Sequence, residues 1–427
     1  MSAALNDRRG IVVYPRHLMV LALLVLAVGI NYIDRGSLSV AKPELAREFG
    51  LDNARMGLLF SAFFWSYALF QLVSGWLVDR LDVKWVYAAG FLVWSLAAAA
   101  MGMVSGFATF LALRLMLGIG ESVAYPATSR LLAASFPEER RGVANALVDA
   151  ASKIGPALST LIGGLVVAHH GWRVLFVSVG LGSLLWLIPW VALVPSQGGS
   201  LRRCPGTVRE RQVTLIDLLG RRELWGTSLG MFCLGYAWYF LVSWLPSYLV
   251  EERKFSMGVM AILGSLPFWA MAAASVMAGW LSDSLIRRGG SATRVRKTFL
   301  LAGLGLCAAL VWPAVVTRSP GMSVGLLTAA CAALGLFTSN VWAVTQTLAG
   351  ERAAGKWTGV QNAVGNLGGV VSPALTGWIV AVTGSFQLAF AATSVALIIG
   401  MGAYVLFVGR ICPLTWPERS PTASTAG

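Results

Sequence analysis

Apolar residues along this chain form twelve long runs, and charged or turn-forming residues separate each run from the next. An α-helix needs roughly 20 apolar residues to cross the hydrocarbon core of a bilayer. The first run lacks a small-residue cleavage site, so it is interpreted as an uncleaved helix and not a signal peptide. We therefore predict twelve membrane-spanning helices, at about 17–39, 55–78, 84–104, 107–130, 141–168, 172–194, 223–249, 257–282, 297–317, 321–348, 356–382 and 385–409.

Composition supports the membrane prediction. Of the 427 residues, 57% are hydrophobic and only 12% are charged, about half the charged share of soluble domains. A water-soluble protein of this length cannot hide so much apolar surface, whereas lipid tails accept it. The predicted fold is an all-α polytopic membrane protein with twelve transmembrane helices.

The net charge of +14 raises the possibility of nucleic-acid binding, but the positions of the charges exclude it. Most of the 33 Lys and Arg residues fall in segments on one side of the predicted membrane. Cytoplasmic loops carry such an excess of basic residues, so the charge reports membrane orientation. Both termini are expected to be cytoplasmic.

The chain repeats itself across its two halves. Three groups of residues recur in the same order about 200 positions later: Gly75-Trp-Leu-Val-Asp79 as Gly279-Trp-Leu-Ser-Asp283, Gly142-Val-Ala-Asn145 as Gly359-Val-Gln-Asn362, and Pro43 and Glu48 as Pro246 and Glu251. Internal similarity of this kind indicates a duplicated structural unit. The chain is therefore predicted to contain two pseudo-symmetric six-helix bundles.

The repeat sets the expected domain boundaries. They are a cytoplasmic tail at 1–16, a first bundle at 17–194, a linker at 195–222, a second bundle at 223–410 and a cytoplasmic tail at 411–427. An amphipathic stretch at Val213–Leu219 suggests a short interfacial helix in the linker. The tail from Cys412, rich in Pro, Ser and Thr, is expected to be disordered.

Ionisable residues inside the predicted helices are concentrated in the first half: Asp34, Arg35, Arg114, Glu121, Asp149 and Lys153. Each costs ~2.5–3.5 kcal/mol to insert into a membrane, so such residues mark functional sites. Asp34 and Arg35 point about 100° apart on their helix and serve different partners. We expect Asp34 to pair with Arg114, leaving Arg35 to face a central cavity and grip a carboxylate with its planar fork.

Asp149 and Lys153 lie four residues apart and can pair directly on one helix. Two interpretations of Lys153 stay open. The lysine either supplies a second positive group that favours a dianion, or it only balances Asp149.

The loop after the second helix, Gly75-x-Leu-x-Asp79-Arg80-x-x-x-Lys84, resembles the signature loop of the major facilitator superfamily. Asp82 and Val83 depart from that pattern, where a glycine and a basic residue are usual. The resemblance implies that this loop is a conformational gate, which clamps the two bundles together in one state of the transport cycle. The Gly→Asp change puts the turn geometry of the loop in question.

Further segments resemble the anion:cation symporter branch of that superfamily, which includes proton-coupled bacterial importers of galactonate, glucarate and hexuronates. The similar segments are Asn31-Tyr-Ile-Asp-Arg35, Arg114-x-x-x-Gly-Ile-Gly-Glu121 with Tyr125-Pro126, and Tyr236-x-x-Tyr239 ahead of Trp244-Leu-Pro-x-Tyr248. The resemblance implies proton-coupled symport of an organic anion, a sugar acid or related carboxylate, by alternating access.

Carried to matching positions, the resemblance assigns Asp34 and Glu121 as the protonatable carboxylates, with Arg114 in the same proton-coupling group. Arg35 becomes the ligand of the substrate carboxylate. The remaining substrate-binding candidates are Tyr32, Tyr67, Gln71, Lys153, Tyr239, Trp342, Asn362 and Asn366.

Other functions fit the sequence less well. No metal cluster, phosphate-binding glycine loop or nucleophile–base pair is visible, and the five cysteines show no metal-site spacing, so an enzyme is not expected. A proton-coupled exporter of drugs or metabolites is the main alternative, and it needs no arginine in its cavity. A non-transporting membrane sensor is a remote one. We expect a monomer in a bacterial inner membrane, with the proton as coupling ion and no cofactor.

Overall fold

The computed structural model describes residues 5–6, 12–13, 15–136, 138–196 and 213–416. Within these ranges, twelve helices are long and apolar enough to cross a membrane, which confirms the predicted fold class. We number them α1 (Arg16–Phe49), α2 (Asn53–Arg80), α3 (Val83–Met101), α4 (Phe107–Ser135), α5 (Val143–His170), α6 (Trp172–Leu193), α7 (Arg222–Glu252), α8 (Met257–Arg287), α9 (Ala292–Val316), α10 (Pro320–Gly350), α11 (Ala353–Thr383) and α12 (Gln387–Leu406).

Several helices contain local irregularities. A turn between Glu121 and Ala124 divides α4, and π-helical segments occur at Ser159–Gly163 in α5 and at Tyr248–Glu252 in α7. Gly350, with φ of +62°, separates α10 from α11. π-Segments are frequent at functional sites because they re-aim the side chains around them. The strand residues in the described chain are the antiparallel pair Leu5–Asn6 and Val12–Val13.

The first helix is longer than the sequence indicates, since it continues ten residues past the predicted end at 39. Two of its added residues have partners in α6. The Glu44 carboxylate accepts a hydrogen bond from the Trp172 backbone N–H, and Glu48 forms an ion pair of 2.6 Å with Arg173. The charged residues that suggested a loop are therefore accommodated on a helix by polar contacts to its neighbour.

The linker and the C-terminal tail lie partly outside the described residues. The amphipathic stretch forms a five-residue helix, Leu215–Leu219, whose first turn is closed by a reciprocal capping pair of Thr214 and Asp217. The expectation of disorder from Cys412 is wrong for the first residues of the tail. The Trp416 indole donates to the Ala349 carbonyl at 3.0 Å and is buried, because the aromatic side chain covers the end of α10.

The hydrogen bonds between the described residues of the two bundles lie towards one end of the molecule. We call the end of the molecule that carries residues 16, 222 and 406 the termini end, and the opposite end the far end. Three hydrogen bonds between the bundles join described residues, and all lie towards the far end: Ser39 Oγ to Ser243 O, Lys42 Nζ to Glu251 and Ser61 Oγ to Val370 O. In this conformation the bundles are therefore closed together at the far end.

Gly57 allows a close approach of the two bundles. A Cβ atom at this position would lie 2.7 Å from the carbonyl oxygen of Pro373 and 3.0 Å from the Cα of Gly377, both backbone atoms of α11. Backbone atoms cannot move aside as a flexible side chain can. The far-end contact consequently depends on the absence of a side chain at Gly57.

We predict that Gly57→Leu destabilises the far-end contact and favours the conformation in which that end is open. Overpacking of this kind costs ~1–3 kcal/mol, so the population of the open state rises about fivefold or more. The measurement is the labelling rate of Ser39→Cys by a membrane-impermeant thiol reagent. Gly258→Leu is the control, because a Cβ there meets no atom within 4 Å. Unchanged labelling in a stable Gly57→Leu protein contradicts the prediction.

Candidate functional site

A buried ion pair between Arg35 of α1 and Glu121 of α4 lies at the centre of the candidate site. The Arg35 Nε donates to Glu121 Oε2 at 2.9 Å, and their side chains are 4% and 0% exposed. Both charges are thus largely removed from solvent, so each depends on the other. Glu121 precedes the turn that divides α4, which fixes its carboxylate at the end of a helical segment.

Aromatic rings surround the guanidinium of Arg35. Its central carbon lies 4.8 Å from the ring centroid of Tyr32 and 4.7 Å from those of Phe63 and Tyr67, while Phe64 lies at 5.9 Å. The face of an aromatic ring attracts a guanidinium, and the attraction is stronger where water is excluded. The rings therefore hold Arg35 in place, while its Nη2 has no hydrogen-bond partner.

Residues of the second bundle also contact this cluster of aromatic rings. The Tyr239 hydroxyl donates to Asn366 Oδ1 at 3.2 Å, and the Tyr239 ring packs against Phe64 with centroids 4.3 Å apart. The Asn366 Nδ2 is buried and has no hydrogen-bond partner. This contact places an amide donor of α11 and a phenol of α7 next to the aromatic ring cluster of α2.

The pairing of the other buried charges differs from the expected layout. Among the described residues no ion pair within 4.0 Å joins Asp34 to Arg114, and Arg35 is not free, because it binds Glu121. Arg114 instead donates its Nε to the Leu59 carbonyl of α2 at 3.1 Å. Arg114 lies two turns from Glu121 on α4, and its side chain extends to α2. It therefore binds the backbone of α2 instead of pairing with Asp34 of α1.

Many polar atoms around this centre have no hydrogen-bond partner. They are Asp34 Oδ2, Arg35 Nη2, Glu121 Oε1, Arg114 Nη1 and both side-chain polar atoms of Asn31. Buried polar groups in folded proteins almost always have partners, so a cluster of exceptions needs an explanation. Spare donors and carboxylate oxygens in one place are suited to exchange a proton and to receive an anionic ligand.

The remaining candidates lie at different depths. Gln71, Trp342 and Asn362 are partly buried, and Lys153 is buried in an ion pair of 2.5 Å with Asp149. Phe63 and Phe64 also contact Arg35, but they were not predicted from the sequence. Phe63 could have been predicted, because it lies four residues before Tyr67 and shares its helical face.

The signature loop has the geometry of a helix start. Asp82, which stands where glycine was expected, caps α3 by accepting a hydrogen bond from the Lys84 backbone N–H at 3.0 Å. Its φ is −65°, an ordinary value for any residue, so no glycine is required there. Asp79 lies 3.6 Å from Arg130, and the Lys84 Nζ donates to the Val191 carbonyl at 2.8 Å.

Comparison with known proteins identifies the family of this chain. The family model of the Major Facilitator Superfamily matches residues 24–370 and, in a second overlapping match, 263–425. The chain belongs to this superfamily. It is accordingly a multi-pass membrane transporter and not an enzyme.

Curated relatives of the transporter cover nearly its whole length. It is 32% identical over 424 residues to a probable galactarate/D-glucarate transporter of Escherichia coli K12, covering 92% of this chain and 93% of the relative. It is 30% identical over 417 residues to a D-galactonate transporter of Escherichia coli O6:H1, covering 93% and 96%. A hexuronate transporter of Bacillus subtilis is 28% identical over 403 residues, covering 92% and 95%.

A solved structure shares the fold. A bacterial homologue of the human lysosomal transporter Spinster, in an inward-facing and unoccupied conformation, superimposes with a TM-score of 0.79. The sequence identity is 20%, and the match covers 92% of this chain and 97% of that one. The transporter thus has the architecture of the superfamily along nearly its whole length.

The Arg35–Glu121 pair generates a stability prediction. Arg35→Met or Glu121→Gln alone leaves one uncompensated buried charge and should destabilise the transporter by about 3–5 kcal/mol. The double variant Arg35→Met/Glu121→Met removes both charges and should unfold close to the wild-type temperature. Thermal unfolding in one detergent, without added anions, measures this order.

The control is Arg222→Gln, since the Arg222 side chain of the Arg222–Glu223 ion pair is 69% exposed. Exposed pairs contribute at most ~1 kcal/mol, so its melting temperature should hardly change. A double variant less stable than both single variants contradicts the assignment of the pair as mutually compensating charges.

Proposed function

We propose that this transporter carries an organic anion, a sugar acid or related carboxylate, into the cell together with protons. The observation that supports the proposal is the Arg35–Glu121 pair. An arginine whose resident partner is itself a protonatable carboxylate can exchange that partner for the carboxylate of a substrate. The names of the curated relatives favour sugar acids as the substrate class.

The pair offers a simple coupling mechanism. When Glu121 takes up a proton, its charge is lost and Arg35 is left with an uncompensated positive charge. A substrate carboxylate then binds the guanidinium with charge-assisted hydrogen bonds. When the substrate leaves, Glu121 gives up its proton and pairs with Arg35 again. Proton and anion are thus bound together and released together.

Asp34 is the second proposed protonation site. Its carboxylate is buried on the same helix as Arg35, and its Oδ2 has no hydrogen-bond partner. A carboxylate buried without a partner is stabilised by taking up a proton. Arg114 is proposed to tune both carboxylates by its positive charge.

Coupling to protons would offset the electrical work of moving an anion into the cell. Moving one negative charge into a cell against 100 mV costs ~2.3 kcal/mol. One accompanying proton cancels this electrical cost, and a second proton makes the membrane potential favour uptake. Two protonatable carboxylates in one site supply both possibilities.

Alternating access follows from the contact pattern of the bundles. We infer from the basic residues of the termini-side segments that the termini end faces the cytoplasm of a bacterium and that the protein lies in its inner membrane. The closed far end then makes this conformation inward-facing. Rocking of the bundles about the site would open the far end and bring the signature loop, with Gly75, Asp79, Arg80 and Lys84, into its clamping role.

Uptake into proteoliposomes tests the proposal. Labelled galactonate, glucuronate, galactarate and glucarate are offered with and without an inward proton gradient. We expect gradient-driven accumulation of at least one acid. Arg35→Ala should lower its uptake at least about tenfold, since a charge-assisted hydrogen bond contributes ~1.5–3 kcal/mol. Glu121→Gln should abolish the response to the gradient, because Gln cannot exchange a proton.

Arg318→Ala, at the far end of the molecule, is the matched control and should leave uptake unchanged. Retention of full gradient-driven uptake by Glu121→Gln contradicts the assigned coupling role. Expulsion of a lipophilic cation without accumulation of any acid contradicts import of an anion and favours a proton-coupled exporter.

A further inference from the structure

A second buried cation lies outside the Arg35–Glu121 pair. Lys153 is 5% exposed at its side chain and forms an ion pair of 2.5 Å with Asp149, whose side chain is 36% exposed. Its further hydrogen bonds, to the Asp149 carbonyl at 3.3 Å and the Ser152 hydroxyl at 3.5 Å, also remain within α5.

This arrangement does little for the packing of the bundle. An ion pair between residues four apart joins a helix only to itself, whereas Arg173–Glu48 and Lys42–Glu251 join separate helices. Ionisable residues in a membrane helix are costly, and apolar residues of similar size are often at least as stabilising as a buried pair. A structural role therefore gives no reason for a lysine at position 153.

Lys153 lies on the face of α5 that meets the other bundle. Thr160 and Gly164, on the same helix, contact Gly264 and Ala261 of α8. Lys153 lies about two helical turns before Thr160, and its own segment of α5, Glu138–Leu158, also contacts α8. This face of α5 is therefore the one directed towards the second bundle.

The same part of α5 packs directly against the arginine site. A Cβ atom on Gly155 would lie 2.5 Å from the Cβ of Tyr32, so the two helices touch at this level. The Tyr32 ring lies against the Arg35 guanidinium at 4.8 Å. Its hydroxyl lies 3.3 Å from that of Tyr125. Lys153, two residues before Gly155, is therefore at the depth of Arg35 in the bundle.

We propose that Lys153 binds a second carboxylate of the substrate, so that the transported acid is a dicarboxylate dianion. The inference rests on the function proposed above, with Arg35 holding the first carboxylate. Each cation then has a resident acidic partner, Glu121 or Asp149, which the substrate replaces. Asp149 is partly exposed, so it stays hydrated when it releases the lysine. Two cations facing one ligand favour a dianion over a monoanion of the same length.

The experiment compares acids that differ only at one end. Uptake of labelled galactarate and galactonate, and of glucarate and gluconate, is measured in proteoliposomes under the same inward proton gradient. We expect the wild type to favour the dicarboxylate of each pair. Lys153→Gln should lower the ratio of dicarboxylate to monocarboxylate uptake at least about tenfold, through loss of a charge-assisted hydrogen bond. Lys153→Arg should restore most of the preference.

Lys254→Gln is the matched control, an exposed lysine beyond α7 whose loss should leave the ratio unchanged. If Lys153→Gln does not fold, Asp149→Asn/Lys153→Gln replaces it, because that variant leaves no unpaired charge. An unchanged ratio in either folded variant overturns the inference. So does accumulation of monocarboxylates alone by the wild type, which leaves the proposed function intact. Failure of the wild type to accumulate any acid overturns both.

Discussion

The charge of Arg35 has to be balanced inside the membrane, and this constraint organises the site. The guanidinium is buried, and the aromatic rings around it provide attraction without a counter-charge. Only an anion with spare oxygens can complete the balance, and in this conformation Glu121 is that anion. In the proposed mechanism Glu121 can also take up a proton, so the balance of one charge links anion binding to protonation. A single arginine would then couple the two events.

The contacts between the two bundles close one end of the molecule and lie close to the Arg35 site. Close approach of α2 and α11 at Gly57, together with hydrogen bonds from Ser39 and Ser61, closes the far end. Tyr239 and Asn366 of the second bundle lie against the aromatic wall at the middle of the contact. A ligand that touches residues of both bundles would make different contacts in the conformations with the far end closed and open. A bound anion could therefore shift the equilibrium between these conformations. The site and the contact between the bundles thus share Phe64, which packs against Tyr239.

The architecture was predictable from the sequence because the requirements of a bilayer are local. Twelve apolar runs of sufficient length specify twelve helices, and the internal repeat specifies two bundles. The pairing of the buried charges was not predictable in the same way. Helical spacing shows that Asp34 and Arg35 diverge, but not how α1 and α4 are rotated against each other. That rotation brings Arg35 to Glu121 and turns Arg114 to the Leu59 carbonyl. The extension of α1 past residue 39 depends likewise on partners in α6, which the local sequence does not show.

The central claim is that a substrate carboxylate and the Glu121 carboxylate compete for Arg35. Calorimetric titration of the purified transporter with the acid that accumulates best, in buffers of different ionisation enthalpy, counts the protons taken up for each anion bound. We expect proton uptake by the wild type, and one proton fewer in Glu121→Gln. An equal proton count in the two proteins would show that anion binding does not protonate Glu121, and the proposed coupling would be wrong.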